Sequence, residues 1–204
     1  MNRVDTRLAA CAAVAAAGTA LTATPAHAAV IDSGPVNINI PSTINGIYLN
    51  VVTGMAGTNA GTPGWDINPY SSSDLEMYTP SGGGTFGDGT SYFNLGPGAY
   101  ISSAGTFETS VSTVNAGTPL NLNSSNNYIG FEFLNEATGA TNYGYIQVSL
   151  SSTAGGQPRS IVEFSYENTG AGITVVPEPS TFALFGVMAL GALGVREWRK
   201  RKAA

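Results

Sequence analysis

The chain has one cysteine and one histidine, both near its start, at Cys11 and His27. Residues 1–28 have the pattern of an export signal, so the protein beyond them has neither residue. That excludes disulfides, zinc held by Cys or His, and every nucleophile activated by an imidazole. Positive charge is almost as scarce. Arg3 and Arg7 lie at the start, Arg196, Arg199, Lys200, Arg201 and Lys202 at the end, and only Arg159 between them. Against that one guanidinium stand Asp32, Asp66, Asp74, Glu76, Asp88, Glu108, Glu132, Glu136, Glu163 and Glu167. A domain of that sign repels phosphate backbones, which argues against nucleic acid as a partner. Charged residues are 10 % of the 204, well under the usual share of about 25 %.

What the chain has is glycine, 26 residues of it, and alternation. The two ends differ from the middle. Arg3 and Arg7 open a basic start, Leu8 to Leu21 is an apolar stretch, and Ala26-His27-Ala28 is a small-x-small site. That order predicts a secretory signal peptide over residues 1–28, cut before Ala29 by a signal peptidase after engagement of the export machinery. Leu8-Ala9-Ala10-Cys11 has the form of a lipoprotein box but precedes the apolar stretch instead of ending it, and is discounted.

At the other end, Pro177 and Pro179 flank Glu178, making a stiff, extended segment that cannot join a helix or a sheet ladder. Thr181 to Val195 is uncharged and apolar; as a helix it spans only roughly 22 Å, short of the ~30 Å hydrocarbon core. Residues 196–204 add a basic cluster around Trp198, which the positive-inside rule keeps cytoplasmic. A short span behind a rigid motif suits a processed tail better than a permanent anchor.

Val176-Pro177-Glu178-Pro179-Ser180, the apolar span and the basic tail, in that order, resemble the PEP-CTERM sorting signal of exopolysaccharide-producing Gram-negative bacteria. The resemblance covers residues 177–204: motif 177–180, transmembrane span 181–195, tail 196–204. It implies recognition in the inner membrane by an exosortase, a membrane cysteine protease or transpeptidase. Cleavage near Pro177-Glu178-Pro179 would then pass the ectodomain to the cell surface or extracellular matrix. Pro177, Glu178, Pro179 and Ser180 are then substrate, and Arg196, Arg199, Lys200, Arg201 and Lys202 the cytoplasmic anchor. Pro63 to Tyr70, Asn142 to Val148 and Tyr166-Glu167 are also similar to other PEP-CTERM ectodomains, with Tyr145 where many carry Trp. Those relatives lend no chemistry.

Residues 29–176 alternate with period 2, which predicts strands. Tyr128 to Leu134 places Ile129, Phe131 and Phe133 on one face. Asn142 to Leu150 sets Tyr143, Tyr145, Gln147 and Ser149 against Gly144, Ile146, Val148 and Leu150. In Ser160 to Glu167 the expectation is Val162, Phe164 and Tyr166 inward, with Glu163, Ser165 and Glu167 outward. Turn clusters between these runs predict consecutive antiparallel strands. Asn45-Gly46 reads as a type I′ hairpin pair. The glycine-rich Ser81 to Thr90 reads as a loop, without the lysine or the strand-to-helix context of a phosphate cradle. The expected architecture is all-β, an antiparallel β-sandwich of jelly-roll type, with a signal helix before it and a single transmembrane helix after it.

Without histidine or cysteine, only paired carboxylates offer catalysis, as in glycoside hydrolysis. Glu163 and Glu167 are roughly 13 Å apart along a strand, too far, and Glu132 and Glu136 fail likewise if one strand runs through both; Asp74 and Glu76 are about 6.7 Å apart at the backbone, within an inverting pair's reach. The plainer reading of such acids is solvent-facing charge on an edge strand. Trp65, Asp66, Tyr70 and Tyr78 form a candidate glycan-binding set, aromatics for stacking beside a hydrogen-bonding acid; the plainer reading makes Trp65 a core residue. Asp66, Asn68 and Asp88 are oxygen ligands of the kind calcium takes, but without EF-hand spacing, so no metal or other cofactor is assigned. The expected protein is not an enzyme. It is an exosortase-sorted surface or matrix protein, passing transiently through the inner membrane, structural or adhesive and associated with exopolysaccharide. The alternative is a carbohydrate-binding module on the same sorted scaffold; a glycan-acting hydrolase is third.

Overall fold

The computed structural model describes residues 29–176. The expected signal peptide with Ala26 and Ala28, the sorting motif, the span and the basic tail lie outside the described residues. Within them there is no helix. The strands of the first half are β1 (Val30–Asp32), β2 (Ile38–Asn39), β3 (Tyr48–Leu49), β4 (Ala56–Gly57), β5 (Asn68–Tyr70), β6 (Glu76–Tyr78) and β7 (Gly84–Gly87). Those of the second are β8 (Tyr100–Ile101), β9 (Thr106–Glu108), β10 (Ser110–Val111), β11 (Tyr128–Asn135), β12 (Ala140–Ser149), β13 (Ser160–Glu167) and β14 (Ile173–Thr174).

The three long runs of alternation become β11, β12 and β13, antiparallel neighbours at the centre of a seven-stranded sheet ordered β1-β13-β12-β11-β7-β9. β2 continues the β1 edge along β13. A three-stranded sheet, β10-β6-β5, and two pairs, β3-β4 and β14-β8, complete the fold. A bridge between Leu49 and Ile67 ties β3 to the start of β5. Every named pairing is antiparallel, giving a β-sandwich-like, all-β domain.

Alternation decides which side chains share a face, and here both faces of the central sheet are covered. Ile129, Phe131 and Phe133 do lie together, joining Ile146, Val148, Phe164 and Tyr166 in the main core. Opposite them, Leu49, Ile67, Leu75, Met77 and Val111 come from the smaller sheets. On the reverse face, Tyr128, Tyr143 and Tyr145 pack against Ile101, Ile173 and Val175 from β8, β14 and the residue after it. That second cover corrects one expectation. Glu163, Ser165 and Glu167 do not face solvent; they are buried beside these tyrosines. Val162 is corrected too. The register shifts so that Gln147 meets Glu163 while Val148 meets Ile161, leaving Val162 as the extra, half-buried residue of a bulge and Ile161 in the core.

Two further expectations fail for reasons of packing. Asn45-Gly46 is no hairpin, because β2 pairs with β13 and β3 with β4. Gly46 alone takes positive φ there, and a Cβ on it would fall 2.1 Å from the Pro69 carbonyl oxygen. The middle of the expected glycine-rich loop, Gly84–Gly87, is strand, with turns on either side: β7 sits between β11 and β9. Its glycines serve close approach, since a Cβ on Gly84 would come within 2.6 Å of Phe107 and one on Gly87 within 2.0 Å of the Ser91 carbonyl.

Candidate functional site

Between β4 and β5 the chain turns through Gly61 and Gly64, then presents Trp65 and Asp66. The strand opposite grips Asp66 twice. Its amide donates to the Leu49 carbonyl at 2.8 Å, and its Oδ2 accepts from the Val51 amide at 2.8 Å. Asn50, in the same strand extension, accepts from the Val52 and Thr53 amides and donates to the Pro63 carbonyl at 3.1 Å. The turn carrying Trp65 is thereby fixed to the end of β3 at three points.

Glu136 arrives from the turn joining β11 to β12. Asn135 builds that turn, accepting from the Ala137 amide on Oδ1 and from the Gly139 amide on its carbonyl. The Glu136 carboxylate comes to rest over Gly64. A Cβ on Gly64 would lie 2.0 Å from Glu136 Oε1 and 2.6 Å from Asn50 Nδ2, and Gly64 holds φ at 58°. Only glycine permits both the turn and this approach. A cavity of about 430 Å³ opens beside it, with Thr62, Trp65, Asp66, Ser81, Leu134 and Glu136 in its wall. A second hollow, also about 430 Å³, lies across the Pro63-Gly64-Glu136 ridge and is lined by Asn50 and Met55 among others.

Trp65 also belongs to an aromatic group. Its ring meets Tyr48 edge-on at 4.9 Å and lies at 32° to Tyr78 at 5.6 Å. Tyr78 is 42 % exposed and Trp65 partly so, whereas the plainer reading would have buried Trp65 as core. Tyr70 is half-buried two residues along β5; burial raises its phenol pKa, and a hydrogen bond to Glu76 adds to this.

Electrostatics single out Asp66. Burial is the main cause that pushes its carboxyl up to about 7; the Val51 amide opposes this, and the negative charge of Glu136 adds to it. Near neutral pH the protonated form of this group can donate a hydrogen bond and the ionised form can only accept. A buried acid and an exposed acid in one hollow, with an indole on the wall, can hold a polar ligand by carboxyl contacts on one side and stacking on the other.

Of the four residues in the candidate set, Trp65 and Asp66 line the hollow and Tyr78 stacks on Trp65, while Tyr70 turns to Glu76. The other candidates disperse. Asp74 accepts from its neighbour's amide at Leu75 and is exposed, and neither it nor Glu76 lines the two hollows. Asn68 is buried and donates to the Asn45 and Ile47 carbonyls. Asp88 closes its own loop, accepting from Asn115 and from the amides and hydroxyls of Thr90 and Ser91, and the Thr90 and Ser91 bonds hold its carboxyl well below the usual range. Among the described residues no three acids or other metal-binding side chains converge. Neither Tyr48 nor Glu136, weighed in the sequence only as a partner of Glu132, was placed at this hollow, because no local pattern connects a turn after β11 to a turn before β5. No family model, curated protein or solved structure matches the chain.

Proposed function

We propose that this is an exported protein whose β-domain is delivered to the cell surface or extracellular matrix by an exosortase acting on the PEP motif. The observation that carries the reading is the order motif, apolar span, basic tail from Pro177 to Lys202. The manner in which the domain closes supports it. Ala29 donates to Asn168 Oδ1 at 3.3 Å and accepts from the Asn168 amide at 3.2 Å. At the other end the Val175 amide donates to Ala99 at 2.9 Å and the Tyr145 hydroxyl to the Val176 carbonyl at 3.0 Å. The residues next to each expected cut are thus held by the domain itself, so both segments can be removed without opening it. The role in the matrix is structural or adhesive and exopolysaccharide-associated, and the chain is the substrate of processing, not an enzyme. Jelly-roll connectivity, the signal helix and the transmembrane helix are part of the same proposal.

The test is the intact mass of the protein from its host, with and without exosortase activity. The expected species begins at Ala29 and ends near Pro177 only where the exosortase is active. A mass that keeps residues 181–204 in both strains overturns the sorting reading and leaves a membrane-anchored β-domain.

A second reading, glycan binding by the same domain, is favoured by the partly exposed Tyr48-Trp65-Tyr78 group beside a hollow that contains two carboxyls. Aromatic faces next to acids are the ordinary means of gripping a sugar ring.

A further inference from the structure

We propose that the hollow beside Trp65 is a subsite for a hexosamine carrying a free, protonated amine, held between the carboxyls of Asp66 and Glu136 with its ring against the indole. The proposal rests on the glycan-binding reading and narrows it from sugars in general to cationic ones.

Size is the first argument. A volume of about 430 Å³ falls inside the ~300–1,000 Å³ typical of small-molecule sites, room for one or two sugar rings. Charge is the second. Two carboxyls enter the wall and no basic side chain does. The described residues include a single base, Arg159. It is buried and spends its N–H groups on the carbonyls of Ile40, Pro41, Ser71, Asp74 and Ala154. No basic side chain of the domain competes for Asp66 and Glu136, so a cationic ligand would find both carboxyls unpaired.

Asp66 also has hydrogen-bonding capacity to spare. Asp66 is 2 % exposed, yet only Oδ2 has a protein donor, the Val51 amide. Oδ1 makes no hydrogen bond to the described residues and is free to accept one from a ligand in the hollow. An ammonium in the hollow supplies a charge-assisted donor to Oδ1 and, through its remaining hydrogens, to Glu136. The bare Cα of Gly64 leaves room for the Glu136 carboxylate beside the hollow. Trp65 completes the set, since an indole attracts both the C–H face of a sugar and a neighbouring cation. A divalent metal fits less well: it requires six or more oxygens, and no third acid is near. The carboxyl of Asp66, pushed up to about 7 with Glu136 contributing, agrees with an acid pair awaiting a positive partner.

The test is calorimetric titration of the protein, near pH 6.5 and at low salt, with two trisaccharide probes. One is the β-1,4-linked trimer of glucosamine, the other the same trimer with every amine acetylated. The free-amine trimer is expected to bind about tenfold more tightly, the ordinary weight of a charge-assisted contact. Glu136→Gln, a change in an exposed turn, should abolish most of that preference, read as the ratio of the two affinities in the variant against the same ratio in the original protein. Equal affinity for the two trimers overturns the amine subsite and leaves glycan binding standing. An undiminished preference in Glu136→Gln overturns the assignment to this hollow. Failure of both probes to bind overturns the subsite and the glycan-binding reading together.

Discussion

Arg159 and Asp66 are each almost entirely buried, 1 % and 2 % exposed, at opposite extremes of satisfaction. The guanidinium of Arg159 is fully employed. Nε and both terminal nitrogens reach the carbonyls of Ile40 and Pro41 after β2, Ser71 and Asp74 between β5 and β6, and Ala154 between β12 and β13. One planar fork thus joins three loops, a task for which arginine's donors are well suited. Asp66 has one donor, a neighbouring like charge and a cavity in front of it. Both charges were costly to bury. The first recovers that cost in structure; the second does not, and the unrecovered part is what makes its surroundings a candidate site.

Substitutions can break that contrast, the largest effect first. Arg159→Met removes every donor from the loop carbonyls while keeping a long apolar side chain. The expected loss is ~3–5 kcal/mol of stability, read by chemical denaturation, with all three loops losing amide protection together. A loss below about 1 kcal/mol would mean that water replaces the guanidinium and that the staple is not structural.

Asp66→Asn should act in the other direction, and only at higher pH. The ordinary carboxyl value is 3.8 and the folded one about 7, so between them the native state holds a proton that the unfolded chain has released. Stability from this group is therefore greatest below about pH 4 and declines as pH rises through 7. Removing the charge should raise stability at pH 8 by ~1–3 kcal/mol and change little at pH 4, measured by thermal unfolding at each pH. An equal change at both would contradict the account of Asp66 as a desolvated acid.

The smallest effect belongs to Glu136→Gln. Global stability should stay within ~0.5 kcal/mol, because the side chain is exposed. The titration midpoint of Asp66, followed by carboxyl carbon NMR, should fall, because a like charge has gone. An unchanged midpoint would separate the two acids electrostatically and undercut their shared role.

Much of this architecture was legible. The alternation of Tyr128 to Leu134, Asn142 to Leu150 and Ser160 to Glu167 located the three central strands, and the Ile129-Phe131-Phe133 face is core. The same alternation misjudged Glu163, Ser165 and Glu167, since period 2 separates two faces but cannot tell which of them another layer will cover. Glycine misled for a related reason: Ser81 to Thr90 has a loop's composition, while Gly84 and Gly87 are there because neighbouring backbone and Phe107 leave no room for a Cβ. Part of the candidate site was likewise visible, in Trp65, Asp66 and Tyr78; Tyr48 and Glu136 were not.

By itself the sequence determined the class of the fold, its three long strands, one of their buried faces, and, across residues 29–176, a chemistry without histidine, cysteine or spare positive charge. Those properties are local or additive: strand alternation spans a few residues, and composition needs no coordinates. Only the tertiary structure decided that the second face is covered, that Arg159 staples three loops, and that Asp66 and Glu136 share a hollow. Each of these depends on segments distant in the chain meeting at a few ångströms, where burial and the near approach of charge set the energies, and no local pattern encodes that meeting.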